Sequence, residues 1–137
     1  MNISVASKSV LKRLDVKIRP KIEKALGQIA SEGARGIEDR GLKGRGYKGA
    51  FKAYSPQYAK FRKKKGRQIA PVDLNFTGQM WAALTSKTVS DKLAEIYFTS
   101  KDANKKAYFN NKKRPFFGFN SKDKRKFKRF FEDAIKL

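Results

Sequence analysis

The sequence contains no cysteine and no histidine among its 137 residues. The absence of cysteine excludes disulfides, thiolate metal ligands and cysteine nucleophiles, and the absence of histidine removes the usual general base and the imidazole ligands of metals. Acidic residues are also scarce, since 12 Asp and Glu stand against 34 Lys and Arg and leave a net charge of +22. We therefore expect no catalytic residues, no cofactor and no metal site, and a partner that carries negative charge.

Long apolar runs are missing as well. The longest one is Met80 to Leu84, and Met1 to Asp15 lacks the apolar stretch of a signal peptide. We expect no membrane span and a protein that is made in the cytoplasm. A hydrophobic content of 39% with 12% aromatic residues is nevertheless too high for a disordered basic tail. The length then favours a single folded domain over residues 1–137.

The positive charge is concentrated in two blocks. Residues 40–72 hold eleven basic residues and no acidic one, residues 101–129 hold twelve basic and two acidic residues, and residues 73–100 between them are nearly neutral. This pattern indicates a folded core that presents positive surfaces to nucleic acid or to an acidic protein. The candidate contacts are Arg40, Lys43, Arg45, Lys48, Lys60, Arg62, Lys63, Lys64, Lys65, Arg67 and Arg114.

The first half of the chain predicts two helices. Ile22, Leu26 and Ile29 follow the spacing of an amphipathic helix, which we place over residues 16–40. Five glycines within the basic residues 40–72 indicate a flexible basic loop, which we place over 41–54. Ser55 before Pro56 pairs an N-cap residue with a first-turn proline, so a second helix should run to about Lys64, with Tyr58 and Phe61 on its inner side.

The remainder, residues 55–137, predicts an α+β core. Thr77 is a candidate N-cap for a short helix through Leu84, with Met80 and Trp81 facing inward. The period then changes to two, so residues 85–89 and 93–100 predict a β-hairpin with Ala94, Ile96 and Phe98 on one face.

A short helix within residues 100–111 and a last helix opened by Ser121 complete the core. The apolar residues of the last helix lie at helical spacing and predict a core-facing stripe, namely Phe127, Phe130, Phe131, Ala134 and Ile135. The expected fold is α+β, with a long N-terminal helix, a small antiparallel sheet and a C-terminal amphipathic helix packed on the sheet.

Two patterns suggest chemistry only weakly. Gly44 to Gly49 is superficially similar to a phosphate-binding loop, but it lacks the Gly-Lys-Ser/Thr ending and a preceding apolar strand. A Mg²⁺-dependent nuclease would have to use carboxylates that show no repeated spacing, namely Asp73, Asp91, Glu95 and Asp102. A flexible loop, helix caps and surface ion pairs explain these residues more simply.

Four motifs in a fixed order carry more information than any one of them. They are Tyr54-Ser55-Pro56-Gln57-Tyr58, Leu74-Asn75-Phe76-Thr77-Gly78-Gln79-Met80, Ala107-Tyr108-Phe109-Asn110-Asn111 and Arg114-Pro115-Phe116-Phe117-Gly118-Phe119. Together with the final helix they resemble the virion-morphogenesis and tail-completion family of tailed bacteriophages, which includes the Mu-type G protein, over residues 53–137. The residues expected to maintain the motifs are Ser55, Pro56, Tyr58, Thr77, Gly78, Met80, Trp81, Pro115, Phe116, Phe117 and Gly118.

The resemblance implies a structural virion protein that is not an enzyme. Such a protein would act in head-tail joining or tail completion as a ring subunit of the neck, in six or twelve copies, after synthesis in the host cytoplasm. Its implied partners are copies of itself, the portal or adaptor, the tail terminator or tail proteins, and the end of the packaged DNA. The alternative is a basic nucleic-acid-binding protein whose +22 charge is its whole purpose.

Overall fold

The α+β class is confirmed by the structure, a computed structural model that describes residues 2–4, 18–75 and 77–136. Val16 and Lys17, where the first helix was predicted to begin, lie outside the described residues, as do Phe76 and Leu137. In chain order the elements are β1 Asn2–Ser4, α1 Arg19–Leu42, β2 Arg45–Gly46, β3 Gly49–Ala50, α2 Pro56–Lys64, α3 Gln79–Ala82, β4 Leu84–Thr88, β5 Leu93–Phe98, α4 Lys101–Lys113 and α5 Ser121–Ala134.

The main sheet has three strands in the order β1-β5-β4, with β1 antiparallel to β5 and Ile3 opposite Ala94. The predicted hairpin is confirmed as β4 and β5, and the Val89 amide donates to the Leu93 carbonyl at 2.9 Å across its turn. Burial alternates along β5, with Ala94, Ile96 and Phe98 inside, as the period of two predicts.

The described residues divide into two compact units. The first unit combines the described residues up to Ala34 with Thr85–Tyr97 and with the chain from Phe119 onwards. Its core contains the predicted stripe of α1, from Ile22 to Ala30, together with Ala94 and Ile96. Gly33 allows a close approach there, because a Cβ at this position would lie 2.8 Å from the ring of Phe119 and 3.1 Å from Ile96.

The apolar stripe of α5 is less buried than the sequence predicts. No residue of this helix is fully buried, and Phe130 is 37% exposed. Phe127 contacts the ring of Phe119 at 4.8 Å between centroids. The N-cap is Asn120 and not Ser121, because the Asn120 side chain accepts from the Asp123 amide while the Asp123 carboxylate accepts from the Asn120 amide.

The second unit comprises Arg35–Leu84 and Phe98–Gly118. It holds the end of α1, the helices α2, α3 and α4, and a core that includes Trp81, Phe98 and Phe116. Helix α3 packs against α4, whose inner face is made small by Ala103 and Ala107.

Where the sequence predicts a flexible loop over 41–54, the structure places a short hairpin of β2 and β3, with Arg45 opposite Ala50. The Phe51 amide donates to the Gly44 carbonyl at 2.8 Å and closes it. Gly46 lies against the backbone of Pro115 and the ring of Phe51, so no side chain would fit at that position.

The single domain over 1–137 stays a prediction. None of the helices in the described segments combines the length and the apolar character needed to cross a membrane.

Candidate binding cleft

The second unit contains a cleft of about 910 Å³. All four motifs of the sequence contribute to its walls, although they are up to about 60 positions apart in the chain. The cleft is lined by Lys52, Ala53, Tyr54, Ser55, Pro56, Tyr58, Arg62, Leu74, Thr77, Gly78, Gln79, Met80, Lys106, Phe109, Asn110, Lys113 and Arg114.

Helix α2 forms one wall, and its start is fixed locally. The Ser55 side chain accepts a hydrogen bond from the Tyr58 amide at 3.2 Å, and Pro56 occupies the first turn. The predicted helix is therefore confirmed in its bounds and its cap. Its predicted inner side is wrong, because Tyr58 and Phe61 are 39% and 44% exposed while Arg62 is buried.

Arg62 is buried because three oxygens compensate for its loss of water. Its Nη2 pairs with Asp73 Oδ1 at 3.0 Å and also donates to the Asn75 carbonyl at 3.0 Å, and its Nε donates to the Gln68 carbonyl at 2.7 Å. These bonds tie the turn after α2 to the segment that leads into α3. Arg62 is thus a structural residue, and the expectation that it contacts a polyanion is corrected.

Two guanidinium groups lie over the ring of Tyr54. The Cζ of Arg62 is 4.6 Å and the Cζ of Arg114 is 4.8 Å from the centre of its ring. Its hydroxyl accepts from the Leu74 amide at 3.2 Å. Burial raises the pKa of Tyr54, while the positive charge of Arg62 opposes that shift.

Arg114 is also buried, at 8% exposure, so the expectation that it contacts an acidic partner or nucleic acid is corrected. Its Nε donates to the Lys52 carbonyl at 2.6 Å and its Nη2 to the Ala53 carbonyl at 3.0 Å. Arg114 therefore fastens the chain before α2 to the end of α4.

The loop after Arg114 is closed by Asn111, whose side-chain oxygen accepts from the amides of Phe116 and Phe117 at 3.0 Å each. Phe116 is 1% exposed, and its ring meets that of Trp81 edge to face at 5.4 Å. A Cβ at Gly118 would lie 2.6 Å from the ring of Tyr47, and the Gly118 carbonyl accepts from Arg40 Nη2 at 2.9 Å. The glycine thus permits a close approach between this loop and the β2-β3 hairpin.

The turn into α3 forms another wall. Gly78 is its N-cap residue, with a φ of 81° that only glycine adopts without strain, whereas the sequence predicts Thr77. The Thr77 hydroxyl instead accepts from the Gln79 amide at 3.3 Å. Met80 and Trp81 are buried as predicted, and the Trp81 indole donates to the Asp73 carbonyl at 2.9 Å.

The remaining predicted cations are not gathered in the cleft. Arg40 is half-buried and donates to Gly118, whereas the others lie exposed along the β2-β3 hairpin and α2, namely Lys43, Arg45, Lys48, Lys60, Lys63, Lys64, Lys65 and Arg67. The cations that do line the cleft beside Arg62 and Arg114 are Lys52, Lys106 and Lys113. Lys106 contacts the Gln79 side-chain oxygen.

Sequence reasoning missed Tyr54, Asp73 and Asn111 as organising residues of the cleft. Tyr54 and Asn111 each stand within one of the four motifs, which was the available signal. No such signal marked Asp73, because its partner Arg62 lies in a run of basic residues that the sequence predicts to be exposed.

The carboxylates considered for a metal-dependent nuclease do not come together in the described ranges. Within residues 2–4, 18–75 and 77–136 no three Asp or Glu side chains are grouped as metal ligands would be. Asp73 is committed to Arg62, and Glu95 pairs with Lys87 at 3.4 Å. The cleft can therefore be considered as a binding surface of aromatic rings and cations.

The comparison with protein-family models gives no match, and neither do the comparisons with curated proteins and with solved structures.

Proposed function

We propose that this chain is a structural virion protein of a tailed phage that acts in head-tail joining or tail completion as a ring subunit of the neck. The observation that carries the proposal is the convergence of the four motifs that resemble the phage family. Ser55, Gly78, Asn111 and Arg114 come from different motifs, and each fixes the backbone of one and the same unit. Residues that together fix the backbone of one unit are the ones that proteins with a common fold are expected to share.

The proposed mechanism is assembly by complementary surfaces. The exposed lysines of the β2-β3 hairpin and α2 lie on short, defined elements, so they present a fixed pattern of positive charge. Charge patterns of this kind accelerate association and select partners with acidic surfaces. The proposed partners are neighbouring copies in a ring of six or twelve, the portal or adaptor, the tail terminator or tail proteins, and the end of the packaged DNA.

Electron microscopy of particles made without this chain tests the proposal. A phage with the gene disrupted should accumulate filled heads and separate tails, and expression of the intact chain in the host should restore joined virions. Normal virions from the disrupted phage would refute the joining role.

Two charge-reversed chains sharpen this test. Lys63→Glu with Lys64→Glu changes exposed residues of α2, whereas Lys124→Glu with Lys126→Glu makes the same change on exposed residues of α5. The α2 variant should fail to restore joined particles and the α5 variant should restore them. Equal rescue by both would contradict the assigned role of α2.

A further inference from the structure

Large aromatic side chains are exposed on two of the helices that border the cleft. Of the seven exposed large apolar residues in the described part of the chain, Tyr58 and Phe61 lie on α2 and Tyr108 and Phe109 lie on α4. Phe109 is 55% exposed and lines the cleft together with Tyr58. Exposed rings concentrated at a concave surface indicate a binding site.

Tyr54, which precedes α2, forms a row with the α2 rings of Tyr58 and Phe61. The centroids of Tyr54 and Tyr58 are 5.1 Å apart, and those of Tyr58 and Phe61 are 6.1 Å apart with planes inclined by only 26°. Arg62 and Arg114 both lie over the ring of Tyr54, so Tyr54 anchors the row, and Tyr58 and Phe61 are its exposed members. The row leads from the cleft to a second, open depression of about 450 Å³ around Phe61.

Cations accompany the rings along this path. The cleft is lined by Lys52, Lys106 and Lys113, and the depression around Phe61 is lined by Lys60, Lys63 and Lys64. No carboxylate of the described residues lines either cavity.

We propose that the cleft and the adjoining outer face of α2 bind single-stranded nucleic acid. Stacking of bases on aromatic side chains, beside cations that follow the phosphates, is the usual mode of sequence-tolerant single-strand binding. Bases stack on Tyr58, Phe61 and Phe109, and the lysines of the two cavities neutralise the phosphates. This inference does not rest on the proposed function, since it follows from the rings and charges of one unit.

The rings distinguish this ligand from two others. A duplex hides the faces of its bases, so it would use the lysines and leave the rings without a role. An acidic peptide would also be held by the lysines, but it offers no series of flat faces for a row of rings. A single strand uses both features along their whole length.

Fluorescence anisotropy with labelled oligo-dT of about twelve nucleotides, a length within the usual site size, tests the proposal. We expect oligo-dT to bind more tightly than a duplex of equal length at physiological salt. Phe109→Leu, Tyr58→Leu and Phe61→Leu should each weaken binding about fivefold or more, because stacking on one ring contributes about 1–3 kcal/mol per base. Oligo-U, measured in parallel, shows whether the site prefers DNA or RNA, and ring-dependent binding of either supports it.

Lysine variants provide the matched control. Lys63→Gln with Lys64→Gln should reduce the salt slope by about 0.7 for each phosphate that is no longer neutralised, whereas Lys124→Gln with Lys126→Gln on α5 should leave it unchanged. Circular dichroism melting verifies that each variant is folded.

Three results would overturn the proposal. The first is oligo-dT that binds no better than duplex, and the second is affinity that the leucine variants leave unchanged. The third is a twelve-residue poly-Glu peptide that competes as well as oligo-dT and is insensitive to the rings, which would define a general polyanion surface.

Discussion

Arg62 is the largest fully buried side chain of the described residues, and it holds the walls of the cleft together. It stands in a run of six basic residues whose other side chains are exposed. Burial suits arginine better than lysine, because the planar guanidinium can donate to several oxygens at once and lie on the face of Tyr54.

Arg62→Ala should destabilise the protein by about 3–5 kcal/mol, because the carboxylate of Asp73 would remain buried without its partner. The neighbouring Lys63→Ala, which removes an exposed cation, should change the free energy of unfolding by no more than about 0.5 kcal/mol. Urea denaturation of both variants measures the difference. Similar values for the two would contradict the burial of Arg62.

Tyr54 makes the stability of the folded protein depend on pH in the alkaline range. Because burial raises its pKa in the folded state above the ordinary value of 10.0, its contribution to stability is complete below about pH 10 and is lost as the pH rises through the folded pKa. Wild-type stability should therefore fall more steeply above about pH 10 than that of Tyr54→Phe. Urea unfolding across that range tests this expectation, and parallel pH profiles would count against it.

At the scale of elements, the sequence predicts best what neighbouring residues decide. Ser55 and Pro56 fix the start of α2, and the alternation of Ala94, Ile96 and Phe98 fixes a strand. The same reasoning fails where distant residues decide. The burial of Arg62 depends on Asp73, and the loop of Arg114 depends on carbonyls about 60 positions away.

The last helix shows another limit of such reasoning. Its apolar period correctly predicts an amphipathic helix, but period alone does not state how much of the stripe the rest of the chain covers. The four motifs that line the cleft, and their order, can be read from the sequence. That they come together in one cleft is visible only in the fold.

For two glycines of α1 we predict opposite effects of substitution by alanine on stability. Gly36 has no atom within 4 Å of the place where a Cβ would stand, so Gly36→Ala should stabilise the helix by about 0.5–1 kcal/mol. Gly41 lies directly against the Trp81 ring, so Gly41→Ala should instead destabilise by about 1–3 kcal/mol through overpacking. Thermal melting compares them, and two variants that shift the melting temperature in the same direction would contradict the packing of Trp81 on α1.

At the scale of the whole molecule, the net charge of +22 acts in two ways. Some guanidinium groups are held in internal bonds, as Arg62 and Arg114 show, while the lysines of the described residues lie at the surface. The surface charge favours acidic partners at a distance. The proposed neck assembly should therefore depend on salt.

The yield of joined particles is expected to fall between about 0.05 and 0.5 M NaCl, because the screening length of exposed charges shortens from about 14 Å to about 4 Å over that range. The yield of joined particles, counted by electron microscopy at each salt concentration, measures this effect. A yield that is independent of salt would show that the exposed lysines are not the assembling surface.

The proposed joining role is tested most directly by adding the purified chain to separated filled heads and tails from a phage with the disrupted gene. The account predicts joined, infectious particles that increase with the amount of chain added, and none when buffer is added instead. Heads and tails that stay separate at every amount of intact chain, or that join equally well without it, would contradict the account.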